Sequence, residues 1–224
     1  MIAEWLNETF HGFDYALLEL CHQLAEWGHP IMTDVMHAIS FSGEYGAWMA
    51  IVGAILMLFP KTRKAGIAML GAIVIGALIV KGFLKDYVAR PRPYEIVGSE
   101  YYMWWSMLGL KLDTGFAFPS GHVETAIGSL MAMCIMLPDG KGKKWVPFTV
   151  IYVALMSICR AYMMEHYPSD IVAGLIIGVG CCYASIAITN WFFKLFEKYK
   201  DNIFCDFVLN FELSWLKGGK PKKK

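Results

Sequence analysis

The chain has 224 residues, 57% hydrophobic and only 17% charged, with a mean hydropathy of +0.45. That is too apolar for a water-soluble domain of this length, and a formal net charge of +1 gives no reason to expect nucleic acid among its partners. What remains is an all-α, polytopic membrane protein whose first partner is the lipid bilayer.

Residues 1–12 carry Glu4, Glu8 and His11 in place of a basic start and an apolar core, so no cleavable signal peptide is expected. Residues 13–41 are interrupted by Asp14, Glu19, Glu26 and Asp34, and Pro30 breaks or kinks any helix there. They read as an amphipathic helix followed by, or bent into, a weak membrane segment. Clear apolar runs then occupy 45–59, 65–80, 125–137, 145–159 and 171–193. At a rise of about 1.5 Å per residue, each reaches bilayer thickness once its flanks are added. With the weak segment this predicts about six transmembrane helices. The N-terminal segment spans 1–44, the core 45–193 and a basic amphipathic tail 194–224. The six cysteines lie mostly inside apolar runs without metal-ligand spacing, which reads as small buried hydrophobes, with no disulfide framework and no metal site. No internal repeat is visible, which weighs against a transporter of duplicated halves.

The basic residues set the topology. Lys61, Arg63 and Lys64 fill one short loop and Lys141, Lys143 and Lys144 another. The tail adds Lys194, Lys198, Lys200, Lys217, Lys220, Lys222, Lys223 and Lys224. The positive-inside rule puts all of these, and the C-terminus, on the cytoplasmic side of the cell membrane. Segments 85–120 and 160–170 then meet on the extracytoplasmic face. Lys81, Lys85, Arg90, Arg92, Lys111 and Arg160 defy the rule, and binding an anion is the simplest reason. The tail beyond residue 200 reads either as an interfacial segment with a polybasic end drawn to anionic lipid or as a frayed terminus.

Three polar clusters stand on that outer face. In the first, Lys85 and Arg92 flank a turn that Pro91 and Pro93 force into extended backbone, so both can approach one anion. Taken alone, a juxtamembrane basic anchor fits equally well. The second is Pro119-Ser120-Gly121-His122. Ser120 is a natural N-cap, Gly121 admits a ligand close to the backbone, and a helix N-terminus attracts anions. The third runs from Arg160 to His166 and Asp170. Asp170 lies four residues from His166, where its carboxylate could orient one ring nitrogen and raise the basicity of the other. A helix start with a favourable Asp and an idle His is the plain alternative.

Together the clusters resemble the signature of the type 2 phosphatidic-acid phosphatase superfamily, Lys-x6-Arg-Pro, then Pro-Ser-Gly-His, then Ser-Arg-x5-His-x3-Asp. Here the pattern reads Lys85 to Arg92-Pro93, Pro119 to His122, and Arg160 with His166 and Asp170. The resemblance implies that His166 is the nucleophile, Asp170 its partner and His122 the acid that protonates the leaving oxygen. Lys85, Arg92, Ser120, Gly121 and Arg160 would hold phosphate, with no metal or other cofactor. Two departures stand out. Cys159 replaces the usual Ser, which puts a phosphate contact there in doubt, and Glu165, beside His166, could raise its pKa or simply face water.

The activity implied is hydrolysis of a membrane lipid phosphate through a phosphohistidine. Undecaprenyl diphosphate is favoured, with phosphatidylglycerol phosphate or phosphatidic acid next. The aromatic stretch Tyr101, Tyr102, Trp104 and Trp105 suits a membrane interface, or merely anchors a loop. A non-catalytic protein that binds or transports lipid headgroups is the competing class, although it has no use for both His122 and His166. A haloperoxidase would require vanadate in the same pocket.

Overall fold

In a computed structural model that describes residues 1–110, 112 and 115–211, the chain is helical, and no strand occurs among the described residues. Lys111 and the basic end of the tail lie outside them. The first helix, α1 (Ile2–Gly28), buries Leu6, Asp14, Leu18 and Ala25 and leaves most of its other acids outside. It stops two residues before Pro30, and α2 (Ile31–Ser42) starts just after it. Tyr45 and Gly46, at φ of 53° and 64°, offset α2 from α3 (Ala47–Met57). A non-glycine residue in the left-handed region is costly and marks a place where the surroundings dictate the backbone.

Next comes α4 (Arg63–Ile79), which runs through a π-turn at Val80–Leu84 into the short α5 (Lys85–Val88). The aromatic stretch forms α6 (Glu100–Leu108), where Trp104 stacks on His22 of α1 and Trp105 lies against Tyr94. The rest is α7 (Gly121–Met136), α8 (Val146–Tyr162), the long α9 (Pro168–Lys198) and α10 (Ile203–Asn210). Four stretches, Ile31–Met57, Arg63–Glu95, Pro138–Tyr162 and Pro168–Lys198, are long and apolar enough to cross a membrane, and α7 is a shorter apolar helix. The two segments read separately as 13–41 and 45–59 therefore share one candidate span.

The centre is α7, packed against both α4 and α9. In lipid there is little hydrophobic drive between helices, so close backbone approach must supply the contact. Glycine makes it possible. A Cβ at Gly178 would stand 2.6 Å from the Glu124 carbonyl, and one at Gly174 2.7 Å from that of Ser120. On the other side, Gly76 of α4 leaves room for the buried Glu124 side chain. The N-terminal ends of α7 and α9 are thereby held together, and the Ser120 N–H donates to the Asp170 carbonyl at 3.1 Å.

Arg63 behaves differently from a loop cation facing headgroups. It is buried, and its guanidinium donates to the carbonyls of Met57, Val208, Leu209 and Phe211. It caps the end of α10, whose Ile203, Phe204 and Phe207 are exposed.

The packing makes a stability prediction. Gly178→Ala should destabilise the detergent-solubilised protein by about 1–3 kcal/mol through overpacking. Gly180→Ala, where nothing lies within 4 Å of the added Cβ, should not lower the melting temperature. Thermal unfolding of both variants checks the difference.

Candidate active site

A cavity of about 400 Å³ opens where the α2–α3 junction, the π-turn, the start of α7 and the end of α8 converge. Lys81, Lys85, Arg92, His122, Arg160 and His166 line it, together with the Gly121 backbone. Ser120 and Asp170 lie just behind, both fully buried. Ser120 holds the N-cap position of α7, but its hydroxyl caps nothing, and Oγ has no protein hydrogen-bond partner among the described residues. The fold thus gathers the expected residues, drawn from stretches up to 85 positions apart (170 − 85), around one space.

Arg160 and His166 arrive together. Beyond α8 the chain reverses at Met164, φ 54°, and the N–H groups of Glu165 and His166 both donate to the Arg160 carbonyl at 3.3 Å. Arg160 also donates to Ser40 Oγ at 2.6 Å, Arg92 to the Gly115 carbonyl at 2.8 Å, and Lys85 to the Phe116 carbonyl. Glu165 does not face water. It is buried, pairs closely with Arg160 and reaches Arg92 at 3.6 Å. Two guanidinium groups are thereby held side by side by one acid, against their mutual repulsion.

The expected bond from His166 to Asp170 is not formed. His166 Nδ1 lies 2.7 Å from the Ala117 carbonyl and 3.9 Å from Asp170 Oδ2. A carbonyl only accepts, so Nδ1 carries the proton and Nε2 the lone pair. Asp170 is drawn elsewhere, accepting from Arg90 Nη1 at 2.6 Å and from the Tyr167 N–H at 2.9 Å. Arg90, one of the cations expected to bind an anion, is therefore spent on carboxylates, and it does not line the cavity. Cys159 Sγ points at the Met156 carbonyl, 3.1 Å away, and likewise takes no part in the lining.

Burial, followed by the fields of Arg160, Arg92, Lys85 and His122, pushes the His166 pKa well below the ordinary imidazole value. The ring is neutral at physiological pH, as a nucleophile must be. Among the described residues no group of three or more His, Cys, Asp or Glu side chains is placed to hold a metal. The charge that could meet a phosphate comes from Lys and Arg, helped by the start of α7.

Such a site on such a fold defines a membrane phosphatase. The chain belongs to the PAP2 superfamily, whose model matches residues 65–194. Two of its relatives and one solved structure carry the same class of name. It is 31% identical over 182 residues to an undecaprenyl-diphosphatase of Sulfolobus acidocaldarius, covering 80% of each chain. It is 26% identical over 159 residues to phosphatidylglycerophosphatase B of Bacillus subtilis, covering 68% of this chain and 71% of that one. Among solved structures, the PAP2-type phosphatidylglycerolphosphate phosphatase of Bacillus subtilis superposes with a TM-score of 0.65 at 21% identity, over 84% of this chain and 90% of that one.

Sequence reasoning missed Asp14, Ser40, Arg90 as an ion-pair partner, and the Ala117 carbonyl. One signal was available. Asp14 shares the face of Leu18 and Ala25, four and eleven residues on, where an acid is out of place.

The lowered His166 pKa predicts a pH profile. With His166 as the proposed nucleophile only the neutral ring attacks, so kcat/KM should hold as pH falls through about 6.5, the ordinary value, and decline only at lower pH. An acid limb of log kcat/KM at or above that value would show that the nucleophile is not in this environment.

Proposed function

We propose that the chain hydrolyses a prenyl diphosphate of the undecaprenyl kind at the extracytoplasmic face of the cell membrane, through a phosphohistidine on His166 and without a metal. Phosphatidylglycerol phosphate and phosphatidic acid come next as substrates. The observation that carries this reading is an imidazole whose Nδ1 is held by a carbonyl, at a cavity lined by four cations and by the acids Glu44 and Glu165. Lys81, outside the family motif, adds a fourth charge to Lys85, Arg92 and Arg160, which suits a diphosphate better than a monoester.

In the first step Nε2 bonds to the terminal phosphorus, the bridging P–O bond breaks, and His122 donates its proton to the departing oxygen. Water, deprotonated by His122, then releases phosphate and restores His166. The anionic substrate itself favours the protonated form of His122. Charge on the equatorial oxygens is met by the cations, Ser120 Oγ and the Gly121 N–H. A six-segment bundle, with the region before residue 45 supplying the first crossing and a phosphatase core over 45–193, fits the distribution of lysines. It leaves the tail over 194–224 on the cytoplasmic side. The cavity at the membrane face lets a prenyl chain stay in the bilayer while its headgroup enters.

Phosphate release from farnesyl diphosphate by the detergent-solubilised protein, in the presence of EDTA, tests the reading. Wild type should turn over, and vanadate should inhibit as a mimic of five-coordinate phosphorus. His166→Ala should lose at least about a thousandfold in kcat, and His122→Ala about a hundredfold or more. If His166→Ala and wild type release phosphate equally, the enzymatic reading is wrong and headgroup binding takes its place.

A further inference from the structure

A second group of buried charges lies behind the cavity. Arg90 and Asp14 are 0% and 2% exposed, and neither lines the space that holds His166. Arg90 donates from Nη2 to Asp14 Oδ2 at 2.9 Å, from Nη1 to Asp170 Oδ1 at 2.6 Å and Ser169 Oγ at 2.7 Å, and from Nε to Asn7 Oδ1 at 2.8 Å. Its guanidinium lies 3.9 Å from the centre of the Tyr167 ring. Asp14 also accepts from the Ser169 N–H at 2.8 Å and from Ser169 Oγ at 2.7 Å. Asp14 and Asn7 come from α1, outside the residues 65–194 that the family model matches.

A cation shared by two carboxylates raises the question of which acid it neutralises. If Arg90 faced Asp170 alone, the pair would be neutral, and a carboxylate 3.9 Å from His166 Nδ1 would exert little net field on the ring. Asp14 supplies a second negative charge, so the group of three carries one net negative charge close to the imidazole. That charge matters during the reaction. When Nε2 bonds to phosphorus, the ring keeps its Nδ1 proton and becomes cationic, while the electron pair of the bridging P–O bond leaves with the departing oxygen. Lys85 from α5, Arg92 from the loop after it, Arg160 from α8 and His122 from α7 all oppose a positive ring. Glu165 is committed to Arg160 and Arg92. Asp170 on α9 is left as the acid beside His166.

We infer that Asp14 is a positioning residue for the nucleophile: as counter-ion of Arg90 it leaves the charge of Asp170 to His166, and so makes α1 part of the reactive apparatus. The inference rests on the phosphatase reading of the cavity.

The test is the pH dependence of kcat/KM for farnesyl diphosphate, measured on full-length protein in detergent. Asp14→Asn removes a negative charge, which should lower kcat about tenfold with KM unchanged within about twofold, and move the acid limb down by about half a pH unit. Arg90→Gln removes the positive charge and should move the limb up. A merely structural role would lower the melting temperature of both variants and leave the limb in place, or shift it the same way in both; either result overturns the inference. If Asp14→Asn does not fold, the direction of the Arg90→Gln shift decides alone. Failure of wild type to release phosphate would instead count against the phosphatase reading.

Discussion

Positive charges crowded around one cavity repel one another, and the groups that line it answer that constraint. Arg92 and Arg160 stay together because Glu165 sits between them, buried and committed to both. Carbonyls at Gly115 and Phe116, and the Ser40 hydroxyl, take up further donors of Arg92, Lys85 and Arg160. On the proposed reading, the charges that meet a phosphate are in place once the chain has folded, and the site needs no large rearrangement when charge develops in the transition state.

Holding those groups in place falls to backbone contacts more than to side-chain fit. Glycines let α9 and α4 come so close to α7 that Ser120 and Asp170 share a hydrogen bond between the starts of their helices. The π-turn at Val80–Leu84 and the reversal at Met164 then aim Lys81, Lys85 and His166 into one space. Strain at Tyr45 and Met164, both at positive φ, falls beside the cavity, where the surroundings over-determine the backbone.

Much of this was legible in the sequence. The apolar runs gave the helices, and the spacing of Lys85, Arg92, Ser120, His122, Arg160, His166 and Asp170 gave the residues that converge. What could not be read was how charges pair within the cluster. Lys-x6-Arg does not say that Arg90 turns away from the cavity, because that choice depends on Asp14, 76 residues earlier. Four-residue spacing makes a bond from His166 to Asp170 reasonable, yet a backbone carbonyl at Ala117 wins the proton. Backbone acceptors carry no sequence signal, and they decide the tautomer here. Pro30 marked the break after α1, but the two residues at positive φ that offset α2 from α3 left no comparable trace.

Helix α1 changes status as a result. As an amphipathic segment ahead of the family match it would serve only as an anchor, but its Asn7 and Asp14 hold Arg90, which in turn holds Asp170 beside His166. The central claim is that His166 takes the phosphoryl group. Acid-quench experiments on purified protein with terminally ³²P-labelled farnesyl diphosphate, followed by alkaline work-up and peptide mapping, address it directly. An acid-labile, alkali-stable label on the peptide that contains His166 is the predicted result. Undiminished phosphate release with no label at any time point, or a label on another residue, would contradict it.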